Sequence, residues 1–94
     1  FIDHYGNVFV NIDRPLFRET GKNRRFEIRF RSPGNAISQI HLAYSDVAPG
    51  DRLALFGSTN YLEIAINQGN ASGLLGLHMN DTVSIEFEVD PMKK

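Results

Sequence analysis

Residues 2–12 combine side chains that could recognise a flat, polar ligand. An acid, Asp3, and an aromatic ring, Tyr5, precede the pair Gly6 and Asn7. The glycine permits a tight bend, and the amide of Asn7 offers two donors and an acceptor, which suit the hydrogen-bonding edge of a base. Aromatic rings nearby can stack on a planar group. The residues alone leave a second interpretation open, a β-bulge whose asparagines hydrogen bond within the fold.

A second polar stretch covers residues 58–71 and reads Ser-Thr-Asn-Tyr-Leu-Glu-Ile-Ala-Ile-Asn-Gln-Gly-Asn-Ala. A hydroxyl at a turn, such as that of Ser58, can bind a carboxylate. A backbone that leaves a strand at residues 67–69 exposes N–H and C=O groups that could read an adenine edge. A hairpin followed by a capped helix explains the same residues without any ligand.

Common catalytic and metal-binding patterns are absent from the sequence. It contains no cysteine, which excludes a disulfide framework, a thiolate nucleophile and a Cys-ligated zinc. His4, His41 and His78 follow no metal-ligand spacing. The sequence has no P-loop, nucleophile elbow or HExxH motif, and its glycines match no dinucleotide fingerprint. We therefore expect no metal site, no cofactor and no catalytic residue in this chain.

Apolar residues that alternate with polar ones predict the strands that position these stretches. Five segments show the pattern, at residues 8–12, 26–30, 53–56, 62–66 and 83–89. A weaker strand candidate covers residues 37–44. Turn residues separate the segments at 20–23, 32–35, 48–51 and 57–60. A helix is suggested only from Asn70 to Leu77, because Ala71, Leu74 and Leu75 share a face and Gly76 can end it.

Short strands at this spacing predict a mainly β fold: a small antiparallel, Greek-key-like β-barrel with one short helix near Asn70–Leu75. The 94 residues are enough for one domain, which we assign to 1–94. The composition, 41% hydrophobic and 22% charged, is that of a globular protein rather than a disordered one. No apolar run reaches the ~18 residues of a membrane span, so we expect no membrane partner.

A net charge of −1 conceals a basic segment. Seven of the ten Lys and Arg residues lie in Arg14–Arg31, and one lies between residues 33 and 92. Basic and aromatic residues interleave there, which is typical of single-stranded nucleic-acid binding. However, Phe26 and Phe30 share the face of Ile28, which favours core positions. A solvated strand with charges on its outer face is the simpler interpretation.

Taken in order, the polar stretches resemble the S-adenosylmethionine hydroxide adenosyltransferase family, hydrolases that are related to the fluorinating and chlorinating enzymes. The resemblance rests on Asp-x-Tyr-Gly-Asn-x-x-x-Asn-Ile at 3–12, Ala-Tyr-Ser-Asp at 43–46 and Ser-x-x-Tyr-Leu-Glu-Ile-Ala-x-Asn-x-Gly-Asn-Ala at 58–71. It continues through Leu-Leu-Gly-Leu and Asp-Thr-Val between residues 74 and 83. It covers nearly the whole chain and corresponds to the family's C-terminal domain.

The resemblance implies a longer, two-domain protein in which a larger N-terminal α/β/α domain precedes this barrel. The sequence, which begins at Phe1, would then be the C-terminal part. Family members form homotrimers, and S-adenosylmethionine lies between the N-terminal domain of one subunit and the C-terminal domain of its neighbour. The hydrolases split it into adenosine and methionine with water-activating residues of the N-terminal domain. The implied function is a substrate-binding, non-catalytic domain of a cytoplasmic hydrolase.

The resemblance also implies polar contacts to this substrate. Asp3 would meet the methionine ammonium in a charge-assisted contact. Asn7 would hydrogen bond the adenine, Ser58 would bind the methionine carboxylate, and the backbone of Gln68 would contact the adenine.

Aromatic residues would complete the contacts. Tyr5 and Tyr44 would form walls around the adenosyl group, and Phe9 matches a position that is aromatic in the halide-using enzymes. Thr59 and Ile66 stand where those enzymes carry arginines, so the sequence resembles the hydroxide branch more closely. The choice of nucleophile itself would depend on the N-terminal domain.

Two other functions stay open at this point. One is a single-stranded nucleic-acid-binding barrel, which we regard as the less favoured because of the core positions in the basic segment. The other is a purely structural module that holds a trimer together.

Overall fold

The computed structural model describes residues 1–30, 36–77 and 82–88, which form a mainly β fold with six strands in two sheets. The strands are β1 Val8–Asp13, β2 Phe26–Arg29, β3 Ile40–His41, β4 Arg52–Phe56, β5 Tyr61–Ile66 and β6 Ser84–Phe87. The helices are α1 Arg14–Gly21 and α2 Ala71–Leu75, and a short 3-10 helix spans Tyr44–Asp46. No helix in these ranges has the length and apolar character needed to cross a membrane.

The larger sheet has the strand order β1-β5-β4-β3. Its strands pair antiparallel, as predicted, except that β3 runs parallel to β4. The parallel pair is possible because residues 42–51 cross from the end of β3 to the start of β4 instead of turning back directly. Within the weak strand candidate at 37–44, only the two residues of β3 form a strand.

The second sheet contains β2 and β6, which pair antiparallel. Ile28 of β2 also exchanges two backbone hydrogen bonds with Ile37, of 2.6 and 2.9 Å, which link this sheet to the segment leading into β3. One core lies between the sheets and consists of Val8, Ile28, Ile37, Ala54, Leu62, Ile64, Ile66, Ala71, Leu75 and Leu77. Hydrogen bonding within the described ranges forms two sheets rather than a closed barrel, so the barrel stays a prediction.

The interpretation of the basic segment as a solvated strand is wrong for its first half, which is helix α1. Asp13 caps this helix by accepting a hydrogen bond of 2.9 Å from the Leu16 N–H, and Pro15 occupies its first turn, where a proline loses no helical hydrogen bond. Lys22 ends the helix in the left-handed region, at a φ of 48°. A capping residue followed by a proline was the available sign of this helix.

Phenylalanines of α1 and both sheets form an aromatic cluster at one end of the core. The Phe17 ring lies edge-on to the rings of Phe26 and Phe56, at centroid distances of 5.1 and 5.5 Å. Its centroid is 5.6 Å from that of Phe87. The Arg24 guanidinium lies over the ring of Phe87 at 5.3 Å. The rings of the basic segment are therefore packing groups rather than exposed stacking platforms.

Arginines of this segment bond within the domain. Arg14 donates to the Phe56 carbonyl at 2.8 Å, and Arg24 donates to the carbonyls of Thr20 and Gly21. Arg29 lies 3.0 Å from the Glu27 carboxylate. These contacts reduce the support for nucleic-acid binding, because that hypothesis was based on the same basic residues.

The short helix predicted near Asn70–Leu75 is confirmed as α2. Asn70 caps it with a bond of 2.9 Å from the Gly73 N–H, and Gly76 ends it at a φ of 66°. The predicted turn at 57–60 joins β4 to β5, with Asn60 at a φ of 65°. The turn at 32–35, Arg31, His78 and the last position of the final strand pattern, residue 89, lie outside the described residues.

Candidate ligand-binding site

The first nine residues form a hairpin that extends the larger sheet beyond β1. The backbones of Phe1 and Phe9 exchange hydrogen bonds of 2.9 and 2.7 Å. Asp3 closes the tip, because its Oδ1 accepts from the N–H groups of Tyr5 and Asn7, both at 2.9 Å. This local use of an aspartate carboxylate is what holds the Gly-Asn turn in shape.

Three of the predicted site residues share one face of this hairpin. The rings of Phe1 and Phe9 stack with centroids 4.7 Å apart, and the Asn7 amide donates to Asp3 Oδ2 at 3.3 Å. Side chains two residues apart in a strand point to the same side, so Asp3, Asn7 and Phe9 lie together. Val8, between them, points to the core on the opposite face. The sheet therefore has an outer face that presents an acid, an amide and an aromatic ring.

Glu63 belongs to the same outer face, directly across from Phe9 in the pairing of β1 with β5. Its other strand neighbour is Leu55 of β4. Although Glu63 is charged, it is only 4% exposed. We did not assign it a role from the sequence, because alternation predicted simply that it faces away from the core. Glu63 does face away from the core, as predicted, but the outer face at this position is covered by another part of the chain.

The cover is the loop of residues 42–49. Its Val47 packs on Leu53, Leu55 and Ala65, which form a second buried cluster on the outer face. The Tyr44 hydroxyl donates a hydrogen bond to Glu63 Oε2. Tyr44, which the family resemblance named as an aromatic wall, is thereby brought beside the residues of the hairpin.

The charges of this site raise two pKa values. Burial raises the pKa of the Glu63 carboxyl, with a further contribution from the negative charge of Asp3, while the Tyr44 hydrogen bond acts in the opposite direction. Burial also raises the pKa of the Tyr44 phenol, and its hydrogen bond to Glu63 adds to this. Tyr44 therefore stays a neutral hydrogen-bond donor at physiological pH.

We expect Glu63 to give the protein an unusual pH dependence. Because its pKa is raised on folding, its contribution to stability is full below the ordinary glutamate pKa and is lost as the pH rises through the folded-state value. Glu63→Gln does not titrate at this position. Its free energy of unfolding should therefore increase relative to that of the unmodified protein as the pH rises above the ordinary glutamate pKa. Urea unfolding at a series of pH values measures the difference. Glu19→Gln, which changes an exposed glutamate of α1, is the control, and a relative gain by the unmodified protein would contradict the expectation.

The remaining predicted residues lie around the edges of this face. Ser58 is exposed in the β4–β5 turn, and its hydroxyl bonds to no described residue. Gln68 lies at the opposite end of β5, in a turn where it adopts a φ of 57°. The Gly6 carbonyl accepts from the Ser72 N–H at 2.8 Å, which joins the hairpin tip to the segment that follows Gln68.

Tyr5 is 75% exposed and lies edge-on to His4. The structure thus brings Asp3, Asn7, Phe9 and Tyr44 together, and it leaves Tyr5 at the open tip of the hairpin. Within the described residues, no three His, Asp or Glu side chains group in a way that could hold a metal ion.

These features define a small β domain with a candidate ligand-binding face on the outside of its larger sheet. Residues 1–84 match the family model described as the SAM hydroxide adenosyltransferase C-terminal domain, and the chain belongs to this family. A curated relative, the (R)-S-adenosyl-L-methionine hydrolase of Salinispora tropica, is 32% identical over 84 residues, which are 89% of this chain and 30% of the relative.

Solved structures share the fold. An uncharacterized conserved protein from Thermotoga maritima has a TM-score of 0.74 and 30% identity, over 90% of this chain and 32% of that one. A conserved hypothetical protein from Thermus thermophilus has a TM-score of 0.65 at 22% identity, over 93% of this chain and 32% of that one, and shows the fold alone. The chain spans about a third of the length of each of these relatives.

Proposed function

We propose that this chain is the substrate-binding C-terminal domain of an enzyme that hydrolyses S-adenosylmethionine to adenosine and methionine. The observation that carries the proposal is the outer face itself, where Asp3, Asn7 and Phe9 meet Tyr44, a residue distant from them in sequence. The name of the 32% identical relative, an S-adenosyl-L-methionine hydrolase, supports the choice of substrate.

The whole protein, in this proposal, has a preceding N-terminal domain that supplies the water-activating residues. It assembles as a homotrimer, and each site is shared between that domain and the outer face of a neighbouring subunit's C-terminal domain. The C-terminal domain itself forms the β-barrel that the family resemblance implies. The lengths of the relatives, about three times that of this chain, are consistent with such an additional domain.

The residues of this chain bind and orient the substrate. Among the described residues, Asp3 Oδ2 bonds only to the Asn7 amide, and it can still accept from the methionine ammonium. The Asn7 carbonyl oxygen and its second N–H are left for the adenine edge. The hydroxyl of Ser58 binds the methionine carboxylate.

Aromatic groups and backbone complete the proposed contacts. Tyr5, Phe9 and Tyr44 enclose the adenosyl group and exclude water, which strengthens the polar contacts. The backbone of Gln68, which lies in a turn with a left-handed conformation, contributes to adenine recognition.

Asn7→Ala in the full-length protein tests this assignment. If Asn7 pairs with a buried base edge, its loss should weaken substrate binding by about 1–3 kcal/mol, seen as a rise of roughly 5- to 150-fold in KM. Adenosine release from S-adenosylmethionine, followed by chromatography, measures KM, and a melting curve checks stability. Gln39→Ala, an exposed amide before β3, should leave KM unchanged.

Two results would contradict the proposal. Absence of adenosine release by the unmodified full-length protein would remove the activity. A large loss of stability in Asn7→Ala with an unchanged KM would assign Asn7 to the hairpin instead of the substrate.

A further inference from the structure

Glu63 occupies a position where packing alone favours an apolar residue. It stands in the middle of β5, its neighbours across the strands are Phe9 and Leu55, and it is almost completely buried. Burial of a carboxylate costs free energy unless hydrogen bonds compensate for the lost water. Among the described residues, the side chain that bonds to it is Tyr44, through the phenol hydroxyl. The carboxylate and the phenol therefore depend on each other.

Tyr44 needs an anchor because the hydrogen bonds within its loop fix the shape of the loop but not the orientation of the ring. Within the loop, Asp46 Oδ2 accepts from the N–H groups of Leu42 and Ala43, at 3.1 and 3.2 Å. These bonds are internal and would move with the loop as a unit. The Tyr44 side chain is 41% exposed, so packing alone does not hold the ring in one orientation.

Besides the packing of Val47, two side-chain hydrogen bonds attach the loop to β5 and to the residue that follows it. Glu63 holds the Tyr44 hydroxyl, and Asn67 Nδ2 donates to the Val47 carbonyl at 2.9 Å. The two anchors are four residues apart, about 13 Å along an extended strand. Attachment at two separated points prevents the loop from pivoting about either one.

We infer that Glu63 is a positioning residue, which holds the Tyr44 ring at the edge of the ligand-binding face through the phenol hydroxyl. The inference rests on the proposed function in that Tyr44 is taken to contact the substrate. With Glu63 in place, the aromatic wall is already formed before the ligand arrives, and binding does not have to restrict it. Loss of the anchor should therefore affect KM and leave kcat nearly unchanged, because the water-activating residues are proposed to lie elsewhere.

Substitutions on both sides of the hydrogen bond test this in the full-length protein. Glu63→Gln retains an acceptor and should keep KM within threefold of the unmodified protein. Glu63→Leu and Tyr44→Phe each remove the bond and should raise KM about tenfold, with kcat within twofold. The double variant should be no worse than either single variant, because both delete the same interaction. Tyr61→Phe, which removes the hydroxyl of a half-exposed tyrosine on the same strand, should have no effect.

The outcomes separate the possible roles. Normal KM in Tyr44→Phe together with a raised KM in Glu63→Leu would overturn the inference, because Glu63 would then act without Tyr44. Additive effects in the double variant would overturn it as well. If Glu63→Leu does not fold, Tyr44→Phe still decides, since it leaves the buried strand unchanged.

Hydrogen exchange keeps this test independent of the activity. Removal of the bond by Tyr44→Phe should speed exchange of the amides at residues 44–47, whereas Tyr61→Phe should not. If Tyr44→Phe speeds exchange but the unmodified full-length protein does not hydrolyse S-adenosylmethionine, the anchoring inference stands and the proposed function is disproved. Unchanged exchange would overturn the anchoring itself.

Discussion

Gly6→Ala is expected to lower the free energy of unfolding by about 2–4 kcal/mol. Gly6 adopts a φ of +81°, which a residue with a Cβ atom disfavours. An added Cβ would also overlap the side-chain amide of Asn70, the residue that caps α2. The substitution therefore strains the hairpin tip and displaces the helix cap together. Chemical denaturation of the purified protein measures the loss.

Two other glycines separate these contributions. Gly50 has a φ of +88° with open space around it, so Gly50→Ala should report the backbone strain alone, about 1–2 kcal/mol. Gly73 lies in α2, where a Cβ would make an ordinary contact of 3.5 Å with Asn70. Gly73→Ala should therefore leave stability unchanged or raise it by up to about 1 kcal/mol. A loss in Gly6→Ala no larger than that in Gly50→Ala would show that Asn70 moves aside at no cost.

The same contact explains how two sequence motifs meet in space. Gly6 belongs to the first polar stretch and Asn70 to the second, and they touch because the residue at position 6 has no side chain. In sequence terms the glycine suggested only a tight bend. The glycine also leaves space for Asn70, which caps a helix more than sixty residues later. This second role depends on tertiary structure, so no local sequence pattern indicates it.

Local patterns predicted most strands and α2 correctly. Alternation in residues 62–66 and the cap and terminator of α2 depend on neighbours in sequence, and both are observed. Helix α1 was missed because it lies between two strand patterns, in a basic segment that was interpreted as a strand, although Asp13 and Pro15 mark its start. The parallel pairing of β3 with β4 could not be predicted, since strand direction depends on the path of residues 42–51.

The candidate site shows the same division. The residues of the face followed from motif resemblance, but the use of Asp3 in closing its own hairpin was not foreseen. The carboxylate that was expected to contact the methionine ammonium also forms the turn that presents Asn7. Glu63 was overlooked because a strand pattern gives the direction of a side chain and not what covers it. The cover comes from a loop some twenty residues earlier.

Ile28→Ala should lower the free energy of unfolding by about 2–5 kcal/mol while leaving the ligand-binding face intact. Ile28 is completely buried and lies in the core shared by both sheets, so truncation opens a cavity between them. It belongs to the smaller sheet, which carries none of the proposed substrate contacts. Below the melting transition, KM of the full-length protein should therefore match that of the unmodified protein.

Ile85→Ala is the matched control for Ile28→Ala, because Ile85 pairs with Ile28 across the same two strands but is only partly buried. The loss of unfolding free energy in Ile85→Ala should be clearly smaller than that in Ile28→Ala, because less apolar surface is buried at position 85 on folding. Amide exchange adds a second comparison, because a shared core predicts that Ile28→Ala lowers the protection of β4 and β5 together with that of β2. If protection falls in β2 and β6 alone, the two sheets are separate cooperative units. In that case the ligand-binding face would owe its stability to the larger sheet without the smaller one.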